Sequence, residues 1–323
     1  MDELYHGFEM INFDDIKWGK KLGEGAAGSV YRCSYNNEEY AVKSYRYEDW
    51  EKMYSTKDCQ NQMLDDINYE LKISKKVSGL KQVIQVKKLC IRYEDSKIKA
   101  VLVLMELLCS IGDLNKYLQN KDLWMASRKY NETLIPKVNT KYITYNPEEN
   151  IYWSFNLNID MKIKVGKMMI EAVNELHNCG IIHCDIKPEN MVYHNSNNPE
   201  KGILKLIDLG ACHFCNVDKM IDIDWYPGTE GYRAPEQDIK KVCFKSDIYS
   251  LGVTLIELWC GEIWMNDIGF KVCRNEVLRN LRKIEKDNLE FGKLLRKCVS
   301  LDYRKRPNGK NLLSQFKYIF NQR

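Results

Sequence analysis

Residues 22–30 (LGEGAAGSV) carry glycines at a spacing that can bring backbone N–H groups close to a phosphate chain. These glycines are Gly23, Gly25 and Gly28. The same Gly-x-Gly-x-x-Gly spacing is typical of a dinucleotide-binding turn, which requires a helix directly after the glycines. Here a strand-like segment follows, and Lys43 stands in a second one, Ala-Val-Lys. The pattern therefore favours a glycine hairpin that covers phosphates, together with a lysine ammonium.

Three further segments combine carboxylate, ammonium and amide side chains. They are residues 182–190 (IHCDIKPEN), residues 206–210 (LIDLG) and residues 228–236 (GTEGYRAPE). The first lies on a loop after a predicted helix and holds an aspartate, a lysine and an asparagine close together in sequence. The second ends an apolar, strand-like run with an aspartate. Side chains of these types can position and neutralise charged groups.

The four segments, in this order, resemble the motifs of the eukaryotic-type protein kinase family over about residues 16–319. The resemblance implies transfer of the γ-phosphoryl group of Mg-ATP to Ser/Thr hydroxyls of protein substrates. This reaction depends mainly on positioning and charge neutralisation. A lysine two residues after the loop aspartate, and the Gly-Thr pair at 228–229, are typical of the Ser/Thr type.

The resemblance assigns residues to the nucleotide. The three glycines would cover the ATP phosphates, and Lys43 would hold the α- and β-phosphates. A hinge at residues 103–108 would meet the adenine edge, with Met105 as gatekeeper and backbone contacts from Glu106 and Leu108. The other residues expected at the nucleotide are Leu22, Val30, Ala41 and Val192. The apolar ones among them would equally serve as core residues.

A glutamate on a helix should orient Lys43. Glu70 is favoured because it lies on the one helix predicted for the smaller lobe, about residues 65–77. Its long separation from Lys43 is explained if residues 45–61 are inserted. Glu51 is the rival candidate. Ser74 stands where the family has a large apolar residue, which either weakens the case for Glu70 or implies a less rigid small lobe.

The resemblance also assigns the chemistry of the loop. Asp185 matches the catalytic aspartate that accepts or orients the proton of the substrate hydroxyl, and such help is worth about 10²–10⁴-fold in rate. Lys187 would neutralise charge on the transferred group. Asn190 and Asp208 match the ligands of Mg²⁺, because both side chains offer hard oxygen donors. Mn²⁺ is a candidate substitute for Mg²⁺.

Other matching residues are expected to be structural. His177 and His183 should pack and form hydrogen bonds rather than exchange protons or bind a metal. Glu236 and Arg306 resemble the family's buried ion pair, and Asp247 resembles the aspartate that braces the catalytic loop.

Two departures concern regulation. Cys184 stands where the family usually has an arginine that grips a phosphate on the activation segment. Thr229 is the only Ser or Thr between Asp208 and Glu236, and its position suggests a bond to Asp185. The hypothesis is that activity needs no phosphorylation of this segment.

Two smaller features also differ from the usual pattern. Leu209 replaces a phenylalanine after the metal aspartate, which is a conservative apolar change. Cys212 and Cys215 have the spacing of a zinc or redox pair, but no second pair stands at a suitable spacing, so a metal site is disfavoured.

The composition limits the function classes. The 323 residues carry a net charge of +4 without a concentrated basic run, which argues against nucleic-acid binding. The start is acidic and polar, and no apolar stretch approaches the roughly 20 residues that span a bilayer. The 12 cysteines are scattered singly, as in proteins with reduced thiols. We expect an intracellular, cytoplasmic monomer without membrane contact.

The elements that must position these residues fall into two predicted lobes. A lead-in at 1–15 precedes strand-like residues 16–104 with one main helix, and residues 105–319 are mainly helical. Strands first and helices afterwards predict an α+β protein. The resemblance implies a bilobal protein-kinase-like fold, with a small β-rich N-lobe and a larger, mainly helical C-lobe.

Apolar periodicity marks two helices of the larger lobe. Residues 163–177 repeat apolar side chains at helical spacing and are followed by Gly180, which should end the helix. Residues 248–260 are apolar almost all round and predict a buried helix.

Residues 121–156 are polar and only weakly periodic, which predicts an insertion. It is a candidate docking surface for a partner and, equally, a candidate covering for its own lobe. Two alternatives to an active protein kinase remain. A pseudokinase or scaffold module would lack Lys43, Asp185 or Asp208, and all three are present. A small-molecule kinase is disfavoured by the complete 228–236 segment.

Overall fold

The computed structural model of the chain forms two compact units. The first comprises Met1–Cys109 with Asp208–Gly210, and the second comprises Ser110–Ile207 with Ala211–Arg323. The structure describes residues 7–25, 28–53, 59–108, 110–113, 159–194, 202–216, 219–260 and 270–321. The predicted insertion at 121–156 lies outside these ranges.

A six-stranded sheet dominates the first unit. Its strands are β1 (Glu9–Met10), β2 (Lys17–Gly25), β3 (Gly28–Tyr35), β4 (Glu38–Arg46), β5 (Val86–Glu94) and β6 (Lys97–Glu106). They lie in the order β1-β5-β6-β4-β3-β2, and β1 pairs in parallel with β5 while the other neighbours are antiparallel. The segment expected to be a lead-in thus contributes a strand to the sheet edge.

Two helices accompany this sheet, α1 (Tyr47–Met53) and α2 (Cys59–Lys76). α1 was not predicted, because seven mostly charged residues around Trp50 are too few to show a helical period. α2 begins six residues before the predicted start at 65. Met63, Ile67 and Leu71 recur every four residues, so they face one way and pack in the buried core against the sheet.

The second unit is mainly helical. Its helices are α3 (Ile159–Asn178), α4 (Phe244–Cys260), α5 (Phe270–Asp287), α6 (Leu289–Cys298) and α7 (Gly309–Phe320). α3 and α4 confirm the helices predicted at 163–177 and 248–260. Gly180 has a φ of +76° just beyond α3, which fits its predicted role as a stop. A β-rich unit and a mainly helical unit confirm the predicted α+β class.

Among the described residues of this unit, one short strand precedes α3 and six lie between α3 and α4. They are β7 (Ser110–Asp113), β8 (Ile181–Ile182), β9 (Met191–His194), β10 (Ile203–Leu206), β11 (His213–Phe214), β12 (Ile221–Asp222) and β13 (Lys241–Val242). They form a β10-β9-β7 sheet and the pairs β11-β8 and β12-β13. Of the helices that the structure describes, none is long and apolar enough to cross a bilayer.

A buried ion pair anchors the second unit. Arg306 is 1% exposed, and its Nη1 and Nη2 donate to Oε1 and Oε2 of Glu236 at 2.6 and 2.9 Å. Ser246 donates its hydroxyl to the same Oε1 at 2.7 Å. The fork-to-fork geometry satisfies both charges where water is excluded. It confirms the predicted pair.

Replacing Arg306 by Met should leave Glu236 buried without its counter-charge. We expect the free energy of unfolding to fall by about 3–5 kcal/mol, measured by urea unfolding followed by circular dichroism. Arg304→Met is the matched control, because the Arg304 side chain is 76% exposed and its bond to Asp302 is screened by water. Equal losses in the two variants would contradict the assignment.

Candidate active site

The glycine segment forms a hairpin between two strands. Gly23 and Gly25 lie on β2, and Gly25 pairs with Gly28 at the start of β3. A Cβ on Gly28 would collide with the carbonyl oxygen of Ser44, so this close approach of two strands requires glycine. β3 continues directly from the glycines, which excludes the dinucleotide-binding turn with its following helix.

Lys43 lies on the neighbouring strand, opposite Val30 of β3. Its Nζ donates to Glu70 Oε1 and Oε2 at 3.1 and 3.2 Å and to Asp208 Oδ1 at 3.1 Å. The structure therefore brings Glu70 of α2 to the lysine, whereas Glu51 lies exposed on α1. The charged side chains of Lys43, Glu70 and Asp208 therefore form one connected cluster in the first unit.

The charges of this cluster support one another. Lys43 is 7% exposed. Burial alone would lower the pKa of Lys43, but the carboxylates of Glu70 and Asp208 raise it well above its usual value. The ammonium is therefore held in its charged form. Asp208 has a φ of +60°, a conformation rare outside glycine and frequent at functional sites.

Two further side chains contact Glu70, and their contacts were not predicted. The Tyr45 hydroxyl donates to Glu70 Oε2 at 2.5 Å. The Ser74 hydroxyl donates to the Glu70 carbonyl oxygen at 3.0 Å, one turn along α2. A tyrosine two residues after Lys43 was the available signal, because alternate residues of a strand face the same side.

The residues assigned to the adenine ring divide between the units. The first unit holds Leu22, Val30, Ala41, Met105, Glu106 and Leu108, and the second holds Val192. Ala41 pairs with Met105 across β4 and β6. Glu106 ends β6, where its backbone N–H donates to Gln85 and its side chain accepts from the Gln85 N–H. Val192 is buried on β9.

A second polar cluster, in the second unit, surrounds Asp185. Lys187 Nζ lies 2.9 Å from Asp185 Oδ2, and Asn190 Nδ2 donates to the same oxygen at 3.0 Å. Thr229 donates its hydroxyl to Asp185 Oδ1 at 2.8 Å and accepts from Lys187 Nζ at 2.5 Å. The predicted bond between Thr229 and Asp185 is confirmed. The carboxylate is fixed in orientation from three sides.

Asp247 holds the backbone before Asp185. It is 1% exposed in the first turn of α4, and it accepts from the N–H groups of His183 and Cys184 at 2.8 and 2.9 Å. His177 Nε2 lies 2.9 Å from the same carboxylate. The predicted brace is confirmed. His183 is fully buried and its Nε2 lies 3.2 Å from the Ile207 carbonyl oxygen, so both histidines pack and form hydrogen bonds as predicted.

Cys184 has a φ of +67°, which is strained for a residue with a side chain. Its N–H bonds to Asp247, and its carbonyl oxygen accepts from Gln237 Nε2 at 3.0 Å. These two bonds stabilise the strained conformation. The Cys184 side chain packs in a buried cluster with Ile182, Cys215, Ile223 and Val242.

The cysteines near the loop are protected thiols. Burial, and then the negative charge of Asp247, raise the pKa of Cys184 well above its usual value. Burial raises the pKa of Cys215 to about 11. In the part of the chain that the structure describes, no three His, Cys, Asp or Glu side chains form a metal-binding group.

Comparisons with known proteins agree on one family. The family described as "Protein kinase domain" matches residues 16–319. Calcium-dependent protein kinase 27 of Oryza sativa is 27% identical over 77% of this chain and 32% of its own length. Serine/threonine-protein kinase MPS1 of Encephalitozoon cuniculi is 25% identical over 94% of this chain and 43% of its own length.

A third relative matches more closely over a shorter stretch. Probable serine/threonine-protein kinase 2 of Plasmodium falciparum is 39% identical over 30% of this chain and 18% of its own length. The chain spans about a third of the length of the plant relatives it matches.

The Cys184 thiol should resist alkylation. Because only the thiolate reacts, a raised pKa and burial keep the reactive fraction low at pH 8. We expect iodoacetamide to label Cys179, which is half-buried, before Cys184 in the native protein, as read by peptide mass spectrometry. In urea the two rates should converge. Equal native rates would contradict the protected environment.

Proposed function

The chain belongs to the protein kinase domain family, and on that premise we propose that it is an active serine/threonine kinase that uses ATP and Mg²⁺ to phosphorylate proteins. The carrying observation is the contact of Lys43 with both Glu70 and Asp208, because a binding module would not need this charge arrangement. Two of the relatives are serine/threonine-protein kinases, which supports the Ser/Thr class.

Lys43 is proposed to hold the α- and β-phosphates of ATP. Its ammonium is fixed by two carboxylates and stays charged, which suits a group that must meet a polyanion. The glycines at 23, 25 and 28 leave the neighbouring strand turn without side chains, so its backbone can approach phosphates. The apolar residues Val30, Ala41, Met105 and Val192 are proposed to contact the adenine ring, with Leu22 and the backbone of Glu106 and Leu108.

Asp185 is proposed to receive the proton of the substrate hydroxyl. The hydroxyl oxygen attacks the γ-phosphorus, the bond to the β-phosphate oxygen breaks, and ADP leaves. Lys187, 2.9 Å from Asp185, would neutralise charge on the transferred group. The bonds from Asn190 and Thr229 keep the carboxylate in one orientation, which lowers the entropy cost of reaching the transition state.

Asp208 and Asn190 offer the oxygen donors that Mg²⁺ prefers. Asn190 uses its amide nitrogen to donate to Asp185, so the amide orientation reserves Oδ1 for accepting roles. The Asp208 side chain is 49% exposed and its Oδ1 already meets the Lys43 ammonium. The donor chemistry therefore fits the ion, which when bound would neutralise phosphate charge.

Activity is further proposed to need no phosphorylation of the activation segment. Cys184, at the position of the usual arginine, is buried and uncharged, so it offers no partner to a phosphate. Thr229 is engaged with Asp185 and Lys187, which supports a structural role for its hydroxyl rather than a modified one.

Asp185→Asn should reduce phosphorylation of Ser/Thr proteins at least about 10²-fold, because the amide cannot accept the proton. The assay compares wild type and variant with labelled ATP and Mg²⁺ in a cell lysate. Asp222→Asn is the matched control, since the Asp222 side chain is 81% exposed and pairs only with Lys241 among the residues described. Labelling that is equally absent with wild type would favour the pseudokinase alternative.

Phosphatase treatment should leave the activity of the purified protein unchanged. Mass spectrometry of the treated sample checks that phosphate has been removed, and the initial rate is then measured with inhibited phosphatase. Loss of activity after treatment, restored when residues 211–227 are phosphorylated again, would refute independence from phosphorylation while leaving the kinase assignment intact; Tyr226 is the only hydroxyl side chain in that range.

A further inference from the structure

Tyr45 connects the sheet of the first unit to the glutamate of α2. It lies two residues after Lys43 on β4, so both side chains face the same side of the strand. Tyr45 is 2% exposed, and its ring belongs to the buried cluster that includes Met63, Ile67 and Leu71 of α2. The side chain thus packs between the sheet and the helix that carries Glu70.

The same side chain contacts both members of the lysine–glutamate pair. Its hydroxyl donates to Glu70 Oε2 at 2.5 Å. Lys43 Nζ lies 5.1 Å from the centre of the Tyr45 ring, within the range of a cation–π contact. One rigid aromatic group therefore limits the movement of the carboxylate and of the ammonium together.

The hydroxyl keeps its proton in this environment. Burial, and next the charge of Glu70, raise the pKa of Tyr45 well above its usual value. The Tyr45 hydroxyl therefore donates a hydrogen bond over the whole physiological pH range. A donor that faces a buried carboxylate forms a charge-assisted bond, which is about twice as strong as a neutral one.

The other contacts of α2 near Glu70 explain why such a link matters. Ser74, one turn further along, is buried and uses its hydroxyl on the Glu70 carbonyl oxygen. That bond lies within the helix, so it does not tie the Glu70 side chain to the sheet. Lys43 ties the Glu70 carboxylate to β4 by the ion pair, and Tyr45 supplies a second tie through its packing and its hydroxyl.

We propose that Tyr45 is a positioning residue that keeps the Glu70 carboxylate against Lys43 and so keeps Lys43 in place for ATP. This inference rests on the proposed function. Tyr45 itself is not proposed to touch the nucleotide, and it acts only through Glu70 and Lys43.

The main test is Tyr45→Phe, which keeps the ring and removes the hydroxyl. We expect kcat to fall and the KM for ATP to rise, with kcat/KM reduced about tenfold, as for loss of one hydrogen bond to a charged group. A purely structural defect would reduce the folded fraction and lower the apparent kcat alone. An unchanged kcat/KM, or a lower kcat at unchanged KM, overturns the proposal.

The matched control is Tyr40→Phe. Tyr40 is also a buried β4 tyrosine whose hydroxyl donates to a glutamate, Glu38, but it packs in the core on the other face of the strand. We expect its kcat/KM to equal that of wild type. An equal loss in both variants would show a general effect of β4 hydroxyls and would overturn the specific role of Tyr45.

A double-mutant cycle with Glu70→Ala tests the route of action. If Tyr45 acts through Glu70, Tyr45→Phe should have no further effect on kcat/KM once Glu70 is replaced. Independent, multiplicative losses would overturn the proposal. If Tyr45→Phe does not fold, Tyr45→Met takes its place, because an unbranched side chain adapts to the same space.

The same cycle on the free energy of unfolding and on Mg-ATP affinity needs no turnover. If these two measurements show coupling between Tyr45 and Glu70 but the wild-type protein is inactive, the contact is supported and the proposed kinase activity is refuted. No coupling in either measurement, with an active wild type, would overturn the role of Tyr45 and leave the kinase activity standing.

Discussion

The Asp247 carboxylate is the interaction on which the loop of the second unit depends. Its two oxygens accept hydrogen bonds from the backbone N–H groups of His183 and Cys184. His177 Nε2 also lies within hydrogen-bond distance of one of these oxygens. Burying a carboxylate without hydrogen-bond donors would cost free energy, and so would burying a backbone N–H without an acceptor. Each side of the contact therefore requires the other. Asp185 is the next residue after Cys184, so these hydrogen bonds also fix the position of its backbone.

In the first unit, too, a buried charged group is paired with complementary groups, but here the buried group is the positive ammonium of Lys43. Lys43 is buried on a sheet strand, and its ammonium is compensated by Glu70 and Asp208. Glu70 is then satisfied by Lys43 and by the Tyr45 hydroxyl. In both units, the residues that position the candidate catalytic side chains also provide the hydrogen bonds that a buried charge requires. Rigid placement and electrostatic compensation are thus one property of these sites.

Much of this arrangement could be predicted from local patterns. Helix α3 shows clear apolar spacing and α4 is apolar almost all round, and the buried pair of Glu236 and Arg306 was expected from motif resemblance. α1 was missed because a seven-residue helix with one buried tryptophan has no measurable period. The pairing of β1 with β5 and the bond from Tyr45 to Glu70 were missed for another reason. Both join residues far apart in the chain. The position of Tyr45 two residues after Lys43 indicates its side of β4, but it does not identify Glu70 as the partner.

The distance in sequence between Cys184 and Asp247 has a consequence for biosynthesis. The two residues are 63 positions apart, so the loop leaves the ribosome before its acceptor has been made. At usual elongation rates, the delay is about 3–13 s. During that interval the left-handed backbone at Cys184 lacks the carboxylate that stabilises it. The nascent chain therefore cannot complete the two hydrogen bonds to Asp247 until the first turn of α4 has been synthesised and has packed against the loop.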